Sequence, residues 1–191
     1  MKLLEDKIKS CGKTVGSDIV KVDMFLNHQV DPVLMHEIGK EFKRLFENEG
    51  ITKVLTIEVS GIAPAVFAAL ELNVPLVFAK KNEAKNLDAS VYSADVFSFT
   101  KNKTYTIRVS KDYLSKDDKV LLIDDFLANG EAATGAIRLI RKAHATIAGV
   151  GVLIEKAFQP GHEKLVSQGF DVYPLARISH MAKDEIEFLE D

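Results

Sequence analysis

The sequence predicts an α/β protein built on a parallel sheet flanked by helices, and three observations carry that expectation. Apolar, strand-like runs alternate with segments of helical spacing from Pro32 to about Ile178. The connections between runs are long enough to hold a helix, as crossovers between parallel strands require, and such crossovers are right-handed. The chain of 191 residues, 47% hydrophobic and 28% charged, suits one domain with a real core.

The elements follow in chain order. Pro32 to Phe46 carries apolar residues at Val33, Leu34, Ile38, Phe42, Leu45 and Phe46, a helical spacing. Asp31 is placed as its N-cap, with proline at the first helical position, and Gly50 ends it. Thr52 to Val59 reads as a buried strand, Pro64 to Leu72 as a short helix and Pro75 to Ala79 as a second strand. Val91 to Val109 is polar with the alternation Tyr105, Ile107, Val109, the pattern of an exposed hairpin or mobile flap, with the flap extending over Asp88 to Arg108. Lys119 to Ile123 is an apolar strand, Glu131 to His144 a helix and Ile147 to Ile154 another strand. Pro160 to Gln168 is a helix ended by Gly169, and Val172 to Ile178 a last strand. Residues 1–30 and 171–191 are expected to form a small hood lobe over a core of 31–170, all within a single domain of 1–191.

Composition excludes several classes. The net charge of −3 gives no reason to expect nucleic acid or an anionic membrane as partner, so an anionic ligand must be held by a local site. Cys11 is the only cysteine, which excludes an intrachain disulfide and a cysteine-based metal cluster. Met1 to Gly12 has no apolar signal-peptide core, and the apolar run Ile147 to Ile154 is far short of the roughly 20 residues of a membrane span. A cytoplasmic location is the expectation. The five histidines show no ligand spacing and read as surface or capping residues, with no metal site assigned.

Val120-Leu121-Leu122-Ile123-Asp124-Asp125-Phe126-Leu127-Ala128-Asn129-Gly130-Glu131-Ala132 combines three physical features. Four apolar residues make a buried strand, and two acids lie at its C-terminal end, where open α/β sheets place ligands. A short loop containing Gly130 then opens into a helix, whose free N–H groups and dipole suit an anion. Carboxylates fit for sugar hydroxyls thus lie beside a cradle fit for phosphate. Neither GxxxxGK[ST] nor a GxGxxG after a strand is present, so the triphosphate P-loop and the dinucleotide fingerprint are excluded.

This run resembles the motif with which type I phosphoribosyltransferases bind phosphoribosyl pyrophosphate (PRPP). The resemblance implies that fold, with its hood and flexible flap. It implies that Asp124 and Asp125 contact the ribose hydroxyls at the catalytic centre, while Ala128, Asn129, Gly130, Glu131 and Ala132 wrap the 5′-phosphate. Asn129, Glu131 and Ala132 depart from the threonine- and glycine-rich loop usual in the family. Glu131 is expected to turn its carboxylate to solvent and offer only its N–H, and the hydroxyl lost at Ala132 leaves open whether Thr134 replaces it. The departure narrows the resemblance to members that act on xanthine. Lys21 to Gln29, Ser60-Gly61-Ile62-Ala63-Pro64-Ala65 and Ile154 to Gly161 resemble those members as well.

Further roles come from the resemblance alone. Ser60 and Gly61 fall where the family's pyrophosphate loop lies, and Lys80 and Lys81 where it commonly carries basic residues near pyrophosphate. Val20, Asn27 and Lys156 match base contacts, with valine where leucine is usual. Mg²⁺ is expected to arrive bound to PRPP, because it prefers substrate oxygens and water to an all-protein cage. The implied reaction converts xanthine and PRPP into xanthosine 5′-monophosphate and pyrophosphate in purine salvage, by a homodimer. Two alternatives stay open: transfer to guanine, hypoxanthine or adenine, and a PRPP-sensing purine repressor, against which stands the lack of a helix-turn-helix pair or basic face.

Overall fold

The computed structural model describes residues 1–81, 90–98, 102–183 and 185–189. Its elements in order are α1 (Lys2–Cys11), β1 (Lys13–Val15), β2 (Ile19–Lys21), a π-type turn (Asp23–Asn27), α2 (Pro32–Phe46), β3 (Lys53–Ile57), α3 (Ile62–Leu72) and β4 (Leu76–Ala79). They continue with β5 (Val91–Ser98), β6 (Lys103–Ser110), a 3₁₀ turn (Lys111–Tyr113), β7 (Lys119–Leu127), α4 (Glu131–Lys142), β8 (Thr146–Lys156), α5 (Gly161–Val166), β9 (Val172–Ala182) and β10 (Glu185–Phe188). The central sheet has the order β10-β9-β8-β7-β3-β4 and is parallel except for β10, which pairs antiparallel with β9. Chain order reverses between β3 and β7, and at such a switch point the strand ends leave a crevice for ligand.

Alternating side chains of β7 face two cores, as the period of a strand requires. Leu121 and Ile123 pack with Leu4, Ile8, Phe25, Phe42 and Phe46 on the side of α1 and α2. Val120 and Leu122 pack with Val96, Ile107, Ile137, Ile140 and Leu165 on the side of α4, α5 and the β5–β6 hairpin. Asp31 caps α2, accepting from the Leu34 N–H at 3.1 Å with Pro32 at the first position, as the sequence predicts.

Four differences from the sequence reading bear on the site. β7 does not stop at Ile123 but runs through both acids to Leu127, because β8 remains as its parallel partner, with Asp124 opposite Val152 and Leu127 opposite Glu155. β8 likewise extends to Lys156. The last strand expected at Val172 to Ile178 is present as β9, but it runs on to Ala182 and pairs with β8 along the central sheet. The N-terminal residues form α1, whose Leu4 and Ile8 are fully buried, and a small β1–β2 hairpin. Residues 91–110 do form an antiparallel hairpin, joined to β4 through the Lys80–Arg108 bridge; residues 88–89 and 99–101 of the expected flap lie outside the described residues.

Candidate active site

The strand ends at the switch point bring together the loop after β3, the acids of β7 and the start of α4. Asp124 is buried, while Asp125 is partly open and its N–H donates to Asp124 Oδ1 at 3.0 Å. Burial, and then the adjacent Asp125 charge, push the Asp124 carboxyl well above the usual carboxylate range. A cavity of about 140 Å³ opens over this pair, lined also by Glu58, Ser60, Lys81 and Tyr105.

The β3 loop turns at a cis peptide between Glu58 and Val59. The Glu58 carboxylate accepts from the Lys81 N–H at 2.6 Å, tying this loop to the end of β4. Gly61 lies against the base of the acids: a Cβ there would stand 2.2 Å from Thr56 Oγ1 and 3.6 Å from Asp124 Oδ1. Ser60 and Gly61 are therefore next to the acid pair.

Gly130 opens α4 in the left-handed region at φ 77°, and no side chain caps the helix start. The first-turn N–H groups thus remain for an anion, in a cavity of about 170 Å³ lined by residues 128–133 together with Phe126 and Tyr105. The Thr134 hydroxyl donates to the Gly130 carbonyl at 2.7 Å, so it does not stand in for the donor missing at Ala132. The Glu131 carboxylate turns to Lys164 of α5 rather than to open solvent.

The two adjacent lysines part company. Lys81 lines the acid cavity and holds its ammonium 5.4 Å from the Tyr105 ring centre. Lys80 exchanges two 2.9 Å backbone hydrogen bonds with Arg108, leans over Phe78, and lines a separate cavity of about 470 Å³ that contains neither acid.

Lys156 ends β8 beside the acids' strand. Its ammonium donates to the Asp18 carbonyl in the β1–β2 turn and lies 5.8 Å from the Phe126 ring centre, and burial lowers its pKa. Val20 is buried in β2, and Asn27 is exposed at the end of the turn after it. The base-contact candidates thus come from β8 and from the segment that the β1–β2 hairpin brings to its end.

Sequence reasoning missed Tyr105, Phe126 and Glu58. Tyr105 lines the 140 Å³ and 170 Å³ cavities and another, of about 740 Å³, that it shares with Glu58, Ser60, Lys81 and Lys103. Its alternation with Ile107 and Val109 marked a strand but gave no hint of what it faces. Among the described residues, no group of three or more His, Cys, Asp or Glu is placed to hold a metal ion, and no helix is long and apolar enough to cross a membrane.

Comparison with known proteins agrees with this geometry. Residues 29–173 match the phosphoribosyl transferase domain family. The xanthine phosphoribosyltransferase of Agathobacter rectalis is 56% identical over the whole of both chains, and that of Ruminiclostridium cellulolyticum 52% identical over the whole of both. Among solved structures, the APRTase of Giardia lamblia complexed with 9-deazaadenine superposes with a TM-score of 0.77 at 26% identity, over 93% of this chain and 98% of that one. The acid pair near the end of β7, the glycine-opened loop and the full-length similarity have one common source: this chain belongs to the phosphoribosyltransferase family.

Proposed function

We propose that the protein transfers the 5-phosphoribosyl group of PRPP to xanthine, giving xanthosine 5′-monophosphate and pyrophosphate. The observation that carries the reading is the placement of an anion cradle, an acid pair and Lys156 on the ends of two adjacent strands, β7 and β8. That row has the polarity of a phosphate, a ribose and a base taken in order. The choice of xanthine rests on relatives of that name at 56% and 52% identity.

The backbone N–H groups of 128–132 would hold the 5′-phosphate, and Asp125 with Asp124 the ribose hydroxyls. Ser60, Gly61 and Lys81 would face the departing pyrophosphate. Lys80, directed elsewhere within this chain, is assigned no contact there. As the C1–O bond breaks, its electron pair leaves with pyrophosphate, whose negative charge donors already fixed in place would stabilise, while the acid pair would face the positive charge developing on the ring. The base nitrogen that forms the C1–N bond gives up its proton. Val20, Asn27 and Lys156 would hold the base, the ammonium donating to an exocyclic oxygen and Phe126 offering a ring face beside it.

Mg²⁺ would come with PRPP. Two adjacent carboxylates, one with its pKa raised by burial and then by the charge of the other, fit a cation carried on substrate oxygens. When bound, the ion neutralises charge on the pyrophosphate. The same reading makes the protein a homodimeric, cytoplasmic enzyme of purine salvage.

A base panel with Mg²⁺ and PRPP, reading the nucleotide product by mass, tests the proposal. The expected order is xanthine, then guanine or hypoxanthine, with negligible product from adenine, whose 6-amino donor would meet the Lys156 ammonium donor to donor. Buried polar groups left unpaired can discriminate by about 10⁴–10⁵. Adenine as the best substrate would overturn the xanthine assignment and leave PRPP chemistry standing.

A further inference from the structure

Behind the anion loop stands α5, and its contacts with the loop are direct. The Gly161 N–H donates to the Ala128 carbonyl at 2.9 Å. A Cβ on Gly161 would lie 2.3 Å from that oxygen and 2.9 Å from the Gly130 nitrogen, and a Cβ on Gly130 would lie 3.2 Å from the Gly161 Cα. Lys164, one turn on, pairs with Glu131 at the other end of the loop. The loop proposed to hold phosphate therefore takes its position from α5 as well as from its own helix.

What fixes α5 is a buried carboxylate that the transfer reaction does not use. Glu155, 1% exposed, lies opposite Leu127 on β7 and Arg177 on β9. One of its oxygens, Oε2, meets His162 Nδ1 at 3.0 Å and Arg177 Nε at 3.3 Å. Oε2 already accepts from Arg177, and it accepts from His162 too in the tautomer that carries its proton on Nδ1. His162 directly follows Gly161, so this bond sets the start of α5 against β8 at the position paired with Leu127, the last residue of β7 before the loop.

We infer that His162, held by Glu155, is a positioning residue for the 5′-phosphate loop, acting through Gly161 on Ala128 and Gly130. Its effect should fall on PRPP rather than on the base. Glu155 adjoins Lys156, so substitutions there would disturb both substrates; His162 is partly exposed and separates the two. This inference rests on the proposed PRPP site.

Titration calorimetry with Mg²⁺ and PRPP, alongside steady-state kinetics, tests it. His162→Ala should weaken PRPP binding and raise the PRPP KM by about five-fold or more, the size of one lost hydrogen bond, while the KM for xanthine stays nearly constant. His162→Asn keeps an N–H at the place of Nδ1 and should restore PRPP affinity. Unchanged PRPP affinity in His162→Ala, or equal rises in both KM values that Asn does not rescue, would overturn the inference. A parent protein that binds no PRPP would instead overturn the proposed function itself.

Discussion

Gly61 and Thr56 leave no room between them for even one more carbon: a Cβ on Gly61 would stand 2.2 Å from the Thr56 hydroxyl oxygen. Thr56 is fully buried, and its hydroxyl has no hydrogen-bond partner among the described residues. The loop beside the acids is therefore held at its closest approach to β3 by the absence of a side chain. Gly61→Ala should lower stability by about 1–3 kcal/mol, the usual cost of overpacking, and reduce turnover as the loop shifts. Adding Thr56→Ala removes the obstructing oxygen and should recover much of both losses. A double-mutant cycle in denaturant melts, run with the activity assay, measures that coupling.

Asp124 predicts a trade between stability and activity. Its carboxyl is raised above the usual value near 3.8, chiefly by burial and then by Asp125. The folded state then holds a proton that the unfolded chain has released, so this group's contribution falls as pH rises from about that value through the folded pKa. Asp124→Asn removes the dependence. The ligand-free variant should melt higher than the parent above that window, by about 2–4 °C for each kcal/mol gained, and the gap should close as pH falls toward the ordinary carboxylate range. Turnover should fall about ten-fold or more, the value of a charge-assisted hydrogen bond to ligand. Melting curves at several pH values and a single rate measurement check both halves.

Gly130 combines a positive φ of 77° with the close approach of Gly161. A branched side chain fits neither requirement. Gly130→Val should abolish PRPP binding in calorimetry; near-native affinity would place the phosphate elsewhere.

Lys156 should report the base alone. Lys156→Ala loses an ammonium partly withdrawn from water, and the KM for xanthine should rise about ten-fold or more while that for PRPP changes little. Untouched xanthine kinetics would remove Lys156 from the base site.

Much of this was legible because it is local or periodic. The spacing of Leu34, Ile38, Phe42 and Phe46 marks α2, and the apolar run before Asp124 marks β7, since burial on one or both faces leaves its signature in the chain. Where β7 ends was not legible: polarity suggested Ile123, yet a neighbouring strand keeps supplying hydrogen bonds past the two acids to Leu127. The same limit applies to β9, expected to end at Ile178 but running on to Ala182. In the site, Asp124 and Gly130 stand out from the motif, but nothing local separates Lys81 from Lys80, because the Lys80–Arg108 bridge that parts them joins residues distant in sequence. His162 read as a surface or capping residue because its partner Glu155, although near in sequence, is brought to it only by the turn before α5.

The acid pair also implies that ligand uptake is linked to hydrogen ions. In the pH range where ligand-free Asp124 retains its proton, seating a cation and a ribose beside it favours the ionised form, and that proton must go to the buffer. Heats of PRPP binding with Mg²⁺ should then differ between buffers of different ionisation enthalpy, and the difference should vanish in Asp124→Asn.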